Sequence, residues 1–499
     1  MPKSFVVVSL LLLATLGTTN ARADEKPNGD LPARVATHHT MRLNERRLDY
    51  EAVAETLPVT DAKGNTTASI FTVSYLTDGE NGSDRPVSFV FNGGPGAASV
   101  FLHLGALGPQ ILQTPESGAV PIPPVRLVDN PTTWLGFTDL VFIDPVGTGF
   151  SRGKGKEENP DKPFWDVRAD IASLGSVIRL WLTRHQRWTS PVWLVGESYG
   201  GFRAAAMAQT LPHDVDVIVK GLVLVSPALD LSALHQTERD LLAAAFILPS
   251  YAATAAVYDV APAAGSVAEA ERFALSDYLV GLAGLNGQPA PGNPFIAKVA
   301  EIAGVPADIV RRYRGRIPRH IFAREVRRGP GEVVSLYDST ITRAGGPEEG
   351  AGADGDPVLQ PAVAAYGTAF NTYLSEVLGV HTDQPYRVLP HDVSQQWNWE
   401  GERQHGTEGL AMSSLEAALL EHPATKVLIV NGRYDLVTPY LSSRWLVDQL
   451  EIPAATRSTI QLRVYDGGHM VYMRPASRSL LAHDAAELYG AGEPGAPSQ

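Results

Sequence analysis

Short runs of apolar residues recur along the chain at 86–91, 140–144, 192–195, 221–226 and 426–430, most of them followed at once by glycine, asparagine or aspartate, and a further strand is read at 459–465. Runs without polar alternation suit parallel strands buried between two layers of helix. Helical patterns lie between them. One is amphipathic, capped by Asp166 and reaching about residue 187, and an alanine-rich one covers 202–211. Others cover 414–420, 439–450 and 475–487. This alternation predicts an α/β fold with a mostly parallel central sheet and helices on both faces. Ahead of it, 50–60 and 67–77 read as a hairpin, with Phe71, Val73 and Tyr75 alternating with polar neighbours. Residues 24–47 are polar and read as loosely ordered, 100–107 as a short helix and 113–125 as a proline-rich surface loop. From about 229 to 391 the pattern changes to alanine-rich helical stretches without a buried strand, and 345–356 is a glycine-rich acidic loop. The predicted organisation is a core in two parts, 24–228 and 392–499, with a helical cap inserted over 229–391.

The composition narrows the classes. Of 499 residues, 44% are hydrophobic and 19% charged, as in a packed globular protein. A net charge of −13 argues against nucleic acid as a partner. The absence of cysteine excludes disulfides, thiolate metal sites and a cysteine nucleophile. Lys3, the apolar stretch 5–16 and Ala21-Arg22-Ala23 read as a signal peptide over 1–23, with cleavage before Asp24. The mature protein is therefore expected to be periplasmic or secreted, with no membrane association after signal removal.

The strand at 192–195 runs directly into Gly196-Glu197-Ser198-Tyr199-Gly200. Between a strand and a helix, G-x-S-x-G is the nucleophile elbow, a turn that lifts a serine hydroxyl clear of the sheet. Its glycines accommodate a strained turn with no room for Cβ atoms. The N-terminus of the following helix favours negative charge beside the serine. A serine hydroxyl needs a histidine base, itself held by a carboxylate. In α/β-hydrolases these follow in the order Ser, Asp or Glu, His, the last two on loops after core strands. Asp435 follows the strand at 426–430 and His469 the strand at 459–465, both beside glycines. Asp230 and Asp466 are other acids near strand ends, and Asp435 is also placed to cap a helix starting near Thr438. Asn92-Gly93-Gly94-Pro95-Gly96, at the end of the strand at 86–91, is placed to aim backbone N–H groups into a cavity, as an oxyanion hole requires.

Four ordered motifs carry a resemblance. Asn92-Gly93-Gly94-Pro95-Gly96, Asp144-Pro145-Val146-Gly147-Thr148-Gly149-Phe150-Ser151, Gly196-Glu197-Ser198-Tyr199-Gly200 and Gly468-His469-Met470 together resemble the serine carboxypeptidase family, peptidase family S10. Asn130-Pro131 and Trp134 fit the same pattern, and the likeness is close over about 86–230 and 426–475. The resemblance implies an α/β-hydrolase fold with a helical insertion and release of C-terminal residues from a peptide substrate. It implies Ser198 as nucleophile, His469 as base and Asp435 as its orienting partner. It implies an oxyanion hole from the N–H groups of Gly94 and Tyr199, and binding of the substrate's terminal carboxylate by Asn92, Gly93 and Glu197. No cofactor or metal is implied. A protonated Glu197 donates a hydrogen bond to a carboxylate, whereas an ionised one repels it.

The sequence departs from the family pattern at three places. Ala97 stands where plant and fungal members carry a cysteine, and their disulfides are missing, which suggests a bacterial exported form. Ala106 stands where a glutamate usually shares a proton with the glutamate beside the nucleophile, so a strongly acidic optimum does not follow. Arg152 replaces a frequent aromatic residue after Gly-Phe-Ser, which would alter pocket preference. The alternative on the same scaffold is an esterase or acyltransferase. A proline-specific aminopeptidase would carry histidine at 92 and tryptophan at 199, and a non-catalytic binding protein would not need the complete constellation.

Overall fold

The computed structural model of the chain describes residues 31, 33–43, 45–79, 84–234, 240–260, 267–285, 287–345, 355–399 and 410–491. The segment read as a signal peptide and most of the acidic loop at 345–356 lie outside the described residues.

Three strands, β1 (Arg34–Leu43), β2 (Arg46–Thr60) and β3 (Thr66–Thr77), form an antiparallel meander. β4 (Val87–Phe91) follows, then a small separate pair, β5 (Gln110–Leu112) and β6 (Leu127–Asp129). β7 (Asp139–Ile143) joins β3 antiparallel on one side and β4 parallel on the other. The two-residue β8 (Arg152–Gly153) pairs with β3. β9 (Val192–Glu197) and β10 (Val219–Val225) continue the sheet in parallel. β11 (Glu332–Val334) and β12 (Thr342–Ala344) form another small pair, and β13 (Lys426–Gly432) and β14 (Ile460–Tyr465) complete the sheet. The main sheet runs β1-β2-β3-β7-β4-β9-β10-β13-β14. Its segment from β7 to β14 is parallel, so the loops after β4, β7, β9, β10, β13 and β14 all emerge at one edge. Ligands bind at that carboxyl edge in open α/β sheets. The chain has the predicted α/β-hydrolase fold.

The central strands have no exposed face: every residue of β4, β7 and β9 is buried. Helices Val167–Arg184 and Tyr199–Val215 pack on one side, in a core with Phe89, Val141, Leu194 and Ile429. Helices Leu359–Glu376 and Pro475–Tyr489 pack on the other, with Phe142, Trp193, Val195 and Val430. Alternating residues of each strand feed the two cores, which is why these runs read as continuously apolar.

Two expectations need correction. The polar stretch at 24–47 is not loosely ordered throughout, because β1 and the start of β2 lie in it. The more buried face of β1 carries Thr37 and His39 as well as Val35, Met41 and Leu43, so its period-two signal is weak. Pairing along its whole length with β2 and stacking of His39 on Tyr50 at 5.3 Å order it instead. The region at 229–391 does contain strands, β11 and β12. They are only three residues each, below the length at which a pattern shows, although Val333 and Val334 are buried. This region also divides between two cores. Helices Leu241–Val257, Asp277–Gly284 and Pro294–Ala303 build a third core with Leu436, Tyr440 and Leu441, whereas Leu359–Glu376 joins the main sheet.

Candidate active site

Ser198 sits between β9 and helix Tyr199–Val215 with φ 58° and ψ −124°, the left-handed backbone that a nucleophile elbow demands. The conformation is held from several sides. The Ser198 N–H donates to the Val225 carbonyl at 2.9 Å, and its own carbonyl accepts from Gly201 at 2.9 Å and Ala228 at 3.0 Å. The glycines are sterically required: a Cβ on Gly196 would stand 2.0 Å from the Gly200 carbonyl oxygen, and one on Gly200 2.4 Å from the Phe91 oxygen. Ser198 is half-buried while its chain neighbours Glu197 and Tyr199 are buried. Edge-on packing of Trp397 and Trp399 against the Tyr199 ring, at 5.5 and 5.9 Å, lines this side of the site.

Asp435 and His469, 34 residues apart, meet with Nδ1 of His469 2.8 Å from Oδ2 of Asp435. Asp435 is fully buried and accepts from the Val437 N–H at 2.7 Å, the Thr438 N–H at 3.0 Å and the Thr438 hydroxyl at 2.6 Å. It therefore caps the turn before helix Tyr440–Asp448 and also holds the imidazole. The histidine backbone is clamped: its N–H donates to the Tyr337 carbonyl at 2.5 Å, and its carbonyl accepts from the Ser226 hydroxyl at 2.8 Å. Burial by itself would lower the His469 pKa, but the charge and hydrogen bond of Asp435, with Glu197 adding, turn the net shift upward. The other acids are elsewhere. Asp230 accepts from Ser232 in its own turn, and the exposed Asp466 pairs with Arg433 at 3.2 Å.

Asn92 and Gly93 bring the loop after β4 to the elbow. The Asn92 amide donates to Glu197 Oε2, and Asn92 Oδ1 accepts from the Leu102 N–H at 3.0 Å, which fixes which end of the amide faces the glutamate. Gly94 has φ +98° and Gly96 φ +102°, open only to glycine at little cost. Glu197 is buried and also accepts from the Tyr472 hydroxyl at 2.7 Å. Burial pushes its pKa up to about 7, against the opposing effects of His469, Tyr472 and Asn92. Beneath the loop, Arg203 donates to the Asn92 carbonyl at 2.6 Å and pairs with Asp170 at 2.5 Å, both side chains buried.

Of the departures, Ala106 is buried in the π-helical turn His103–Leu107, where Asn130 satisfies the carbonyls of Ala106 and Gly108 at 2.8 Å each. Ala97 donates its N–H to the Gly93 carbonyl at 3.1 Å, within the loop. Arg152 turns its guanidinium onto the carbonyls of Gly149 and Ser151 at 3.0 and 2.8 Å, bracing the loop after β7.

Sequence reasoning missed Tyr472, Thr438, Tyr337 and Arg203. Two of them left a signal. Arg203 is a cation inside an apolar helix, which requires a buried partner. Tyr472 lies three residues after His469, one turn further on in the 3₁₀ segment Val471–Met473. Thr438 and Tyr337 come close only through tertiary packing.

Residues 60–247 match the family model of the serine carboxypeptidases. The chain is 27% identical over 140 residues to serine carboxypeptidase-like 8 of Arabidopsis thaliana, covering 28% of this chain and 30% of that protein. It is 31% identical over 149 residues to the pheromone-processing carboxypeptidase KEX1 of Saccharomyces cerevisiae, covering 28% of this chain and 19% of the relative. These matches thus span under two thirds of the relatives' own length. Among solved structures, esterase E22 aligns over 88% of this chain and 100% of its own, at 13% identity and a TM-score of 0.39. A soluble variant of the monoglyceride lipase of Saccharomyces cerevisiae aligns over 87% of this chain and 96% of its own, at 10% identity and a TM-score of 0.36. On the family model and the sequence relatives, residues 60–247 of this chain are similar to the serine carboxypeptidases.

Proposed function

We propose that the chain is an exported serine-type carboxypeptidase that releases C-terminal residues from peptides. The observation that carries this reading is the buried Asn92–Glu197 pair beside Ser198, since an ester or amide substrate offers no carboxylate for such a pair to grip. Ser198 Oγ adds to the carbonyl carbon of the last peptide bond while Nε2 of His469 takes the hydroxyl proton. Asp435, on Nδ1, orients the ring and stabilises the imidazolium. The N–H groups of Gly94 and Tyr199 face the oxyanion. The C–N bond then breaks as His469 returns the proton to the leaving amine. Water, deprotonated by the same histidine, cleaves the acyl-enzyme to the shortened peptide and free Ser198.

Asn92, Gly93 and a protonated Glu197 bind the terminal carboxylate. A glutamate with a pKa of about 7 keeps a large neutral fraction at mildly acidic pH, so binding of acid substrates weakens as pH rises through that value. The insertion at 229–391 serves as the cap, a role supported by the Tyr337 carbonyl on the His469 backbone. Residues 1–23 serve as an export signal, and the bacterial, periplasmic or secreted setting rests on them and on the absence of cysteine. No helix among the described residues is long and apolar enough to cross a membrane.

The test is hydrolysis of matched N-blocked peptides ending in a free acid, an amide or an ester, with products read by mass. Acid substrates are expected to lose single C-terminal residues, and Ser198→Ala to reduce their turnover by about 10⁴–10⁶-fold in a folded protein. Equal turnover of all three would give the esterase or acyltransferase reading instead.

A further inference from the structure

Both hydrogen bonds to the Glu197 carboxyl end on the same oxygen. Asn92 Nδ2 and the Tyr472 hydroxyl reach Oε2. The amide nitrogen of Asn92 is donor-only, and its orientation is set by Leu102. The Tyr472 hydroxyl donates to Oε2 at 2.7 Å, so its phenolic hydrogen points at Glu197. Tyr472 remains a protonated donor, because burial and the neighbouring Glu197 hold its pKa well above the ordinary value. Two donors fill the in-plane lone pairs of Oε2 and leave no place there for a proton.

The Tyr472 ring is fixed as well. A Cβ on Gly105 would stand 2.6 Å from its Cε2 and 2.6 Å from the Tyr366 hydroxyl, which itself donates to Met473 Sδ at 3.0 Å. The turn facing Tyr472 thus closes on it with Gly105 and carries alanine next, at 106.

We infer that Tyr472 is a positioning residue of the site: with Asn92 it holds Oε2 of Glu197, so that the proton of the neutral carboxyl lies on Oε1, as donor to a substrate carboxylate. The ligand in this inference rests on the carboxypeptidase reading, whereas the placement of the proton rests on the Asn92–Tyr472–Glu197 geometry alone. The other ionisable groups around Glu197 are His469 and Asp435 from the loops after β14 and β13, and Tyr337 and Tyr366 from the insertion. The hydrogen bond from Tyr472 favours the ionised form of Glu197, and losing it shifts the balance towards the neutral one.

The experiment titrates the Glu197 carboxyl by ¹³C NMR in the full chain with labelled glutamate, the signal being assigned by its loss in Glu197→Gln. Tyr472→Phe is expected to raise the midpoint by about one pH unit. At the same time the KM of a free-acid peptide at pH 5 should increase by about 5–10-fold, with kcat changed less, because the donor loses its orientation. Replacing Tyr472 by 3-fluorotyrosine keeps the ring and strengthens the donor, and should lower the midpoint; this arm stands even where the phenylalanine variant does not fold. A midpoint that stays put in both variants, or moves in the opposite directions, overturns the inference. A midpoint that moves as expected in an enzyme that treats acid and amide substrates alike leaves Tyr472 as positioning residue and removes the carboxypeptidase reading.

Discussion

A Cβ placed on Gly93 would stand 2.5 Å from the backbone nitrogen of Tyr199, a residue far along the chain that is this close because β4 and β9 are paired in parallel. The loop that ends β4 and the elbow that ends β9 are therefore in backbone contact, with no side chain between them. The same Cβ would stand 2.8 Å from the Glu197 carbonyl oxygen. Both obstacles are backbone atoms in a strained turn, so neither yields without moving Ser198. Gly93→Ala is expected to fold and to lose about 10²-fold in kcat/KM, the order of loss that a 1 Å misplacement produces. Steady-state kinetics on a free-acid peptide, with circular dichroism as control, checks this.

Asp435→Asn keeps the size of the side chain but removes the charge that Thr438 and two backbone amides support. Its expected effect is a fall in kcat of about 10³–10⁴-fold. The pH profile carries a second signature. His469 must be neutral to act as base, so activity falls as pH drops through its raised pKa. Removing the charge of Asp435 lowers that pKa, and the acid limb of the residual activity should move to lower pH. A limb that stays in place would show that His469 does not titrate against Asp435.

Glu197 links the site to stability. Its pKa is about 7 in the folded chain against 4.5 for the unperturbed group. A carboxyl whose folded pKa is raised adds stability that is fully present below about 4.5 and is lost as pH rises through about 7. The change approaches about 3 kcal/mol as an upper bound, since one pKa unit is worth about 1.4 kcal/mol. Glu197→Gln does not ionise. The melting temperature of the variant relative to the wild type should therefore increase between pH 5 and pH 8. A constant difference across that range would mean that Glu197 is not held neutral by burial.

Export makes a prediction about the N-terminus. Protein recovered from the periplasm or medium should begin near Asp24, as read by N-terminal sequencing, and substituting Ala21 and Ala23 by bulky residues should leave the precursor uncleaved. Cytoplasmic protein that retains Met1 would remove this part of the proposed function.

Most of the candidate site was legible because Asn92, Ser198 and Asp435 lie at or shortly after the ends of buried strands, and His469 shortly after the partly exposed β14. Apolar runs ending in glycine-rich loops place Asn92, Ser198 and Asp435, the more polar strand β14 places His469, and parallel order puts all those loops at one edge of the sheet. The two-sided burial of β4, β7 and β9 made these strands readable without an alignment. β1 was not legible, because it owes its order to hydrogen bonds along the sheet edge, and backbone pairing has no side-chain pattern.

What the sequence by itself determined is therefore the periodic part: strand–helix alternation, the elbow with its glycines, and the order Ser198, Asp435, His469. These follow from local sterics and from burial, which act over a few residues. Only the tertiary structure decided how each group is held. Thr438 on Asp435, Tyr337 and Ser226 on the His469 backbone, Arg203 under Asn92 and Tyr472 on Glu197 join elements up to 275 residues apart. Such contacts are set by the packing of the loops on one sheet edge. The protonation of Glu197 is decided there too, because it depends on water excluded by the whole fold and on donors that chain order does not reveal.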